Sequence, residues 1–434
     1  MAFGIAWFAH WRSRNTIRVK SMKNSIIRKI FESFFILGMS WVLSFGCSIN
    51  QPSSNIETKS DNGIKAYAKS KRYKRNGIDI VYLTGTPYEI GLAHGILCKS
   101  EITTLNKRFF EIYDRLAEKP QNRWLKLSKA LGHNIPNEYI DEMRGIAEGA
   151  DIDFSKILFI NTLSSISMKD GCFAFAFKNS GSQVITFRQD DEYRKNDFHR
   201  KMMLFVIKPE KGFGFAAMLT PGWVDGETGI NEMGITVSQN NIGIKQKNWD
   251  VMPITVLSRE MLQYARTIDD IGAMLDGQQA YPGRLIFVSS EQTASVFEFA
   301  NSEKARIDMK GGFLALSNHA RIIASRKVGS GSAKRLSYVE QFLSKNSGQM
   351  DVEKALELVR TPIISRDTFW DRLKVQNRQA YVFSPATLDF WIALPPSNPD
   401  EPACYGEYAG FNLQNELYDT NNKPNLMTFP AKQS

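Results

Sequence analysis

Apolar and polar positions change their rhythm several times along this chain of 434 residues. An apolar block runs from Phe34 to Phe45, broken only by Gly38, Ser40 and Ser44. Residues 48–77 follow with many polar and basic positions and no hydrophobic period. From Ile78 the character changes. Ile78–Leu83 predicts a short strand, and Gly85-Thr86-Pro87 turns it into a helix beginning near Tyr88, with Pro87 suited to a first helical turn. Helical spacing returns over Glu101–Leu116. It appears again over Asn137–Ala147, where Ile140, Met143, Ile146 and Ala147 share a face, and Gly149 is placed to end that helix. A further helix is expected from Asp153.

Beyond Cys172 the period shortens to that of strands. Phe173–Phe177, Val184–Phe187, Met202–Ile207, Phe213–Leu219, Ile235–Ser238, Arg284–Val288, Ala294–Phe299, Phe313–Ser317, Ala380–Phe383 and Leu388–Leu394 are short apolar or alternating runs separated by turn residues. Helical periods interrupt them at Val256–Tyr264, Ile268–Leu275, Arg335–Leu343 and Val352–Val359. Strands and helices in blocks predict sheets covered by helices, not a regular βαβ alternation.

Composition adds one qualification. The formal charge of +10 first suggests a polyanionic partner. Residues 1–47, however, hold Arg12, Arg14, Arg18, Lys20, Lys23, Arg28 and Lys29 against the single acid Glu32. The excess left for the remainder is too small to argue for a nucleic-acid groove. Lys23, Arg28 and Lys29, then the apolar block, then Leu43-Ser44-Phe45-Gly46-Cys47 read as an export signal, because that block is too short to span a bilayer. Three outcomes stay open: lipidation of Cys47 as in bacterial lipoproteins, an ordinary cleaved signal, or a retained anchor helix. Each puts the protein outside the cytoplasm, and the first and third tether it to a membrane. The other cysteines, Cys98, Cys172 and Cys404, are too scattered for a metal site or a disulfide framework.

Cys172 carries the chemistry. It follows Gly171 and heads an alternating strand. Cleavage of the Gly171–Cys172 bond would give one residue both a thiol and a free α-amine, the amine serving as base for the thiol beside it. Arg188 and Asp191 stand at the end of the second strand of the hairpin that starts there, so the turn would return them beside Cys172. His94 and His319 read as structural, since an N-terminal nucleophile needs no histidine.

Four segments resemble a known family. Gly85-Thr86-Pro87-Tyr88-Glu89-Ile90-Gly91-Leu92-Ala93-His94-Gly95 is similar to the opening motif of the acyl-coenzyme A:6-aminopenicillanic-acid acyltransferase (penicillin acyltransferase, peptidase C45-like) family of N-terminal-nucleophile hydrolases. Glu142-Met143-Arg144-Gly145-Ile146-Ala147-Glu148-Gly149-Ala150 resembles its second landmark, Gly229-Ile230-Asn231-Glu232-Met233-Gly234-Ile235-Thr236-Val237 a third, and Leu316-Ser317-Asn318-His319 its Thr-Asn-His turn. They stand in the family's order, with Gly171-Cys172 in the gap where its nucleophile lies.

The resemblance implies an α+β, four-layer αββα sandwich of the N-terminal-nucleophile hydrolase type. The leader is read over 1–47 and the polar tether over 48–77 from the residues themselves, and the resemblance implies one domain over 78–434, self-cleaved into 78–171 and 172–434. It implies hydrolysis of a linear carbon–nitrogen amide, or acyl transfer, through a thioester on Cys172. The substrate would be a small N-acyl compound, with no cofactor, metal or nucleic acid. By the same resemblance Arg188 lowers the thiol pKa, Asp191 orients the α-amine, Asn318 and Asn240 furnish oxyanion-hole polar groups, and Arg378 is a late active-site arginine. The family usually has Arg-Asn-x-Asp where this chain has Arg188-Gln189-Asp190-Asp191, and spacing favours Asp191 over Asp190 as the amine's partner. A competing expectation is a tethered binding or scaffold protein of the same fold without catalysis, favoured by Gln189 and by bulky Phe173 beside the nucleophile.

Overall fold

The computed structural model describes residues 69–167, 171–193, 202–242, 250–276, 278–281, 283–300, 303–323, 330–368, 375–418, 426 and 428–432. Residues 1–47, where the sequence leads one to expect an export signal and lipidation of Cys47, lie outside them. No described helix is long and apolar enough to cross a membrane.

Two sheets form the centre. The strands in chain order are β1 (Lys71–Arg75), β2 (Ile78–Gly85), β3 (Gly171–Lys178), β4 (Val184–Tyr193), β5 (Met203–Pro209) and β6 (Phe215–Leu219). Then come β7 (Thr228–Asn231), β8 (Thr236–Asn241), β9 (Met252–Pro253), β10 (Ala280–Tyr281), β11 (Arg284–Ser289) and β12 (Ala294–Ala300). The last are β13 (Glu303–Asp308), β14 (Phe313–Leu316), β15 (Val375–Ser384), β16 (Asp389–Ala393) and β17 (Tyr408–Asn412). One sheet has nine strands in the order β1-β2-β5-β6-β7-β8-β11-β12-β13, and the other has six in the order β14-β3-β4-β15-β16-β17. Neighbours are antiparallel apart from β2 against β5 and the small β9–β10 pair.

The apolar clusters fix the layers. Ile80, Leu204, Val206 and Met218 of the large sheet pack on Phe383, Phe390 and Phe411 of the small one. Ala174 and Ala176 of β3 likewise meet Leu285 and Phe287. The outer face of the large sheet is covered by helices Pro87–Leu97, Lys99–Ala117, Asn137–Ala150, Phe154–Ser167 and Ile254–Tyr264. The outer face of the small sheet is covered by helices Ser330–Lys345, Val352–Val359 and Pro362–Ser365. The order is helix, sheet, sheet, helix, the αββα sandwich that the resemblance implies. Strand alternation explains β3: Phe173, Phe175 and Phe177 enter the outer core, while Cys172, Ala174 and Ala176 turn inward, where small side chains let the sheets close.

The opening helix forms as its sequence predicts. Thr86 and Glu89 make a reciprocal capping box, and Pro87 sits in the first turn. Gly149 differs from expectation. It lies inside helix Asn137–Ala150, which ends at Asp151 in a left-handed conformation (φ 59°). A Cβ on Gly91 would stand 1.9 Å from the Glu142 carbonyl oxygen, and one on Gly145 would stand 2.3 Å from the Tyr88 oxygen. Gly95 and Gly149 face similar limits, at 2.4 Å and 2.3 Å from opposing carbonyls. Two Gly-x-x-x-Gly faces therefore lock these helices backbone to backbone. Sequence also ran the tether through residue 77, whereas Lys71–Arg75 is an edge strand paired with β2. Edge strands carry charge to block further pairing, so this one shows no apolar period. Helix Arg123–His133 was missed as well; Asn122 caps it.

Candidate active site

The β3–β4 hairpin assembles the site. Its register sets Cys172 opposite Asp190, Ala174 opposite Arg188, and Gly171 opposite Asp191. Directly opposed residues share a face, so Cys172, Arg188 and Asp190 point between the sheets while Asp191, Gln189 and Phe173 point to the helical layer.

Cys172 is fully buried, among polar groups. Its Sγ donates to Asp190 Oδ1 at 3.2 Å, and the same oxygen accepts from Arg188 Nη2 at 3.2 Å. Arg188 also donates to Asn240 Oδ1 and, at 3.4 Å, to Thr228 Oγ1, and it pairs with Glu227 at 3.8 Å. Burial works to lower the guanidinium pKa, but the negative charge of Cys172, Asp190 and Glu227 outweighs it and raises the value. A fixed cation beside a thiol favours thiolate.

The main chain of Cys172 is held from another side. Its N–H donates to Asn318 Oδ1 at 3.1 Å. Arg335 donates through one Nη2 to that same Asn318 oxygen at 2.8 Å and to the Cys172 carbonyl at 3.3 Å. Asn318 Nδ2 donates to the Asn241 carbonyl at 3.3 Å, and Asn240 Nδ2 to the Ser317 carbonyl at 3.0 Å. Hence Asn318 meets the nucleophile through its oxygen, while the amide nitrogens of Asn318 and Asn240 each donate to a main-chain carbonyl within the fold.

Asp191 lies where the register puts it, on the far face. Its carboxylate accepts from Arg335 Nη1 at 2.8 Å, Arg366 Nε at 3.2 Å and Asn377 Nδ2 at 3.4 Å. It therefore reaches Cys172 through Arg335, while Asp190 touches the sulfur. Arg378 is buried at a bulge in β15, between Asn377 opposite Asp191 and Gln379 opposite Asp190.

Sequence reasoning missed Glu227, Asp225, Arg335 and Arg366. Glu227 sits two residues before the Gly229-Ile230-Asn231 segment, the only signal it offered. Burial and then the neighbouring Asp190 and Asp225 push its carboxyl well up; burial likewise raises Asp225 to about 7. Cys172 Sγ and one carboxylate oxygen each from Asp190 and Glu227 lie within 4.8 Å of one another. That spacing would suit a metal ion, but the Arg188 guanidinium already pairs with both Asp190 and Glu227.

Phe173 packs in the outer core with Arg335 over its ring at 5.6 Å, and Gln189 donates to the Val359 carbonyl. Neither side chain enters the space between the sheets, so the two features that favoured an inert scaffold do not bear on the nucleophile. His94 is buried, and its Nε2 accepts from the Gly222 N–H at 2.9 Å. His319 Nδ1 shares a hydrogen bond with Ser332 Oγ at 2.7 Å. Cys98 and Cys404 are unpaired buried thiols in the two different outer cores; burial drives the first up to about 12 and also raises the second.

A family model described as acyl-coenzyme A:6-aminopenicillanic acid acyl-transferase matches residues 180–378. An uncharacterized protein of Archaeoglobus fulgidus is 24% identical over 345 residues, covering 65% of this chain and 58% of its own length. The acyl-coenzyme A:6-aminopenicillanic-acid-acyltransferase 40 kDa form of Emericella nidulans is 26% identical over 164 residues, covering 36% of this chain and 45% of that protein. The chain thus spans about half the length of such curated relatives. Among solved structures, a C2A mutant of conjugated bile acid hydrolase from Clostridium perfringens aligns with a TM-score of 0.44 at 10% identity, over 61% of this chain and 98% of that one.

Proposed function

Over residues 180–378 the chain belongs to the acyl-coenzyme A:6-aminopenicillanic acid acyltransferase family, and from that premise we propose that it is a self-processing cysteine amidohydrolase or acyltransferase acting on a small N-acyl substrate. The observation that carries this reading is the double hold on Cys172: sulfur on the Asp190–Arg188 pair, main-chain N–H on Asn318.

In processing, Cys172 Sγ attacks the Gly171 carbonyl carbon, the acyl group moves from nitrogen to sulfur, and water hydrolyses the thioester. The products are a Gly171 carboxylate and a Cys172 bearing thiol and α-amine. In turnover the amine takes the thiol proton and the thiolate adds to the substrate's carbonyl. The tetrahedral oxyanion collapses, the leaving amine departs with the proton, and water or an acceptor amine releases the acyl group. Arg188 stabilises the thiolate. Arg335 donates within the same cluster as Asn318, and the 3.3 Å contact from Asn318 Nδ2 to the Asn241 carbonyl is the bond an oxyanion would replace. Hydrolysis fits better than transfer if the protein is exported, since acyl-coenzyme A is a cytoplasmic donor.

Intact-mass measurement of wild type and Cys172→Ala tests the reading. The wild type is expected as two chains split before Cys172 and the variant as one inactive chain. Normal cleavage of the variant would refute it.

A further inference from the structure

Gly171, on the acyl side of the proposed cut, lies against a guanidinium. A Cβ built on it would stand 2.7 Å from Arg366 Nη2 and 3.9 Å from Arg335 Nη2. The nearer contact is far inside ordinary van der Waals separation, so a larger residue at 171 would displace Arg366. The same two arginines converge on one oxygen: Asp191 Oδ2 accepts from Arg335 Nη1 at 2.8 Å and from Arg366 Nε at 3.2 Å. Gly171 stands directly opposite Asp191 in the β3–β4 register, which makes the glycine and the carboxylate that orients the arginines cross-strand neighbours. Arg366 is also close enough to join burial in lowering the Arg335 pKa.

The backbone holds Arg366 in this position. It ends helix Pro362–Ser365 in a left-handed conformation, φ 61° and ψ 37°, which a residue bearing a Cβ adopts only under constraint. Tyr405 supplies that constraint from both sides. Its Oη donates to Asp367 Oδ2 at 3.1 Å and shares a hydrogen bond with Ser365 Oγ at 3.0 Å. The two chain neighbours of Arg366 are thus pinned to one hydroxyl, and the guanidinium between them reaches Gly171.

We propose that Arg366, with Arg335 beside it, is the receptor for the carboxylate that self-cleavage creates on Gly171. The inference rests on the self-processing reading, since residue 171 carries no carboxylate until the chain is cut. When water adds to the Gly171 thioester, the C–S bond breaks and the water oxygen stays on Gly171. One proton goes to the sulfur and one to the α-amine, leaving a carboxylate, a thiol and an ammonium. Loss of the bond to Cys172 frees Gly171, with its permissive backbone, to turn the carboxylate toward the Nη2 group beside it. A guanidinium has five N–H donors, so Arg366 takes on the new partner while its Nε stays on Asp191. Charge-assisted pairing keeps the carboxyl ionised, the form that a thiol does not attack. The cut is thereby made permanent and Cys172 is left free for substrate.

Two measurements on the full-length protein test this. Arg366→Gln is expected to lower the melting temperature of the cut protein by about 2 °C or more beyond what it costs the uncut Cys172→Ala protein, the excess reading the lost charge-assisted hydrogen bond. Arg366→Lys, which keeps the charge, should recover most of that excess. An arginine that only braces Asp191 would cost both forms equally, and equal losses overturn the proposal. Intact mass gives the second readout. A broad-specificity carboxypeptidase should release Gly171 from the folded, cut wild type at least about tenfold more slowly than from cut Arg366→Gln. Should that variant fail to fold, the wild type decides by itself: release as fast from the folded protein as from the same protein unfolded in urea overturns the proposal. A wild type that is never cut removes the self-processing reading and this inference together, whereas a cut wild type with an indifferent Arg366 removes only the inference.

Discussion

Asn318 Oδ1 accepts from both the Cys172 main-chain N–H and the Arg335 guanidinium, at 3.1 Å and 2.8 Å. The asparagine thereby holds the bond to be cut and the cation that lies over the Cys172 carbonyl. Asn318→Ala is expected to slow self-cleavage by about 10²–10³-fold, the usual cost of one such polar group. The ratio of cut to uncut chain with time after synthesis measures this directly. Cleavage at the wild-type rate would mean that Asn318 only shapes its turn.

Asp190 and Asp191 separate by their partners. Asp190→Asn removes the negative charge that receives the Cys172 S–H hydrogen bond and pairs with Arg188, so kcat/KM should fall and its acid limb should shift. Asp191→Asn leaves Arg335, which is 2% exposed, without its carboxylate. Removing one member of a buried pair costs about 3–5 kcal/mol, and this variant should show its main defect in urea denaturation. Equal stability losses in the two variants would contradict the division of roles.

His94 gives a pH dependence of definite sign. Burial, reinforced by Arg259, lowers its pKa from 6.5 to about 3, and the neutral ring accepts from the Gly222 N–H. Between those values the unfolded chain binds a proton that the native chain refuses. The contribution of His94 is thus fully present above about pH 6.5 and lost as pH falls toward 3, at about 1.4 kcal/mol per unit at most. Denaturation at pH 4.5 and 7.5 should show the difference, and His94→Gln should flatten it.

Asp225 has the opposite sign. Its carboxyl is raised from 3.8 to about 7, so the native chain holds a proton that the unfolded chain has lost, and stability declines as pH rises through that window. Asp225→Asn should remove the decline and leave the protein more stable above pH 7 than the wild type, as measured by melting temperature across the pH series.

The legible parts of the fold are those with a clean period. The alternation of Phe173, Phe175 and Phe177 defined β3, and helices such as Ile268–Leu275 and Val352–Val359 ran as their apolar faces required. The joint placement of Cys172 and Arg188 followed from the hairpin alone. The face of Asp191 did not. A one-residue change of register moves every side chain to the other side of a strand, and the 179–183 turn gives no register from composition. Arg335 was illegible for another reason: it reaches the site from a covering helix whose spacing marks an apolar face but not what lies beneath it. The basic edge strand β1 and the exposed alternation of β13 lacked the hydrophobic signal on which strand assignment depends.

The paired glycine faces of helices Pro87–Leu97 and Asn137–Ala150 bear on what the opening motifs mean. Gly91→Ala would force a methyl group onto the Glu142 carbonyl and should cost about 1–3 kcal/mol through overpacking, read as a lower urea midpoint with unchanged kinetics per folded molecule. Two of the segments that resemble the acyltransferase family are thus signatures of architecture. A search keyed to them will gather proteins that share this scaffold, including any that have given up the thiol, and the catalytic members must be sorted from the rest by what stands at the head of β3.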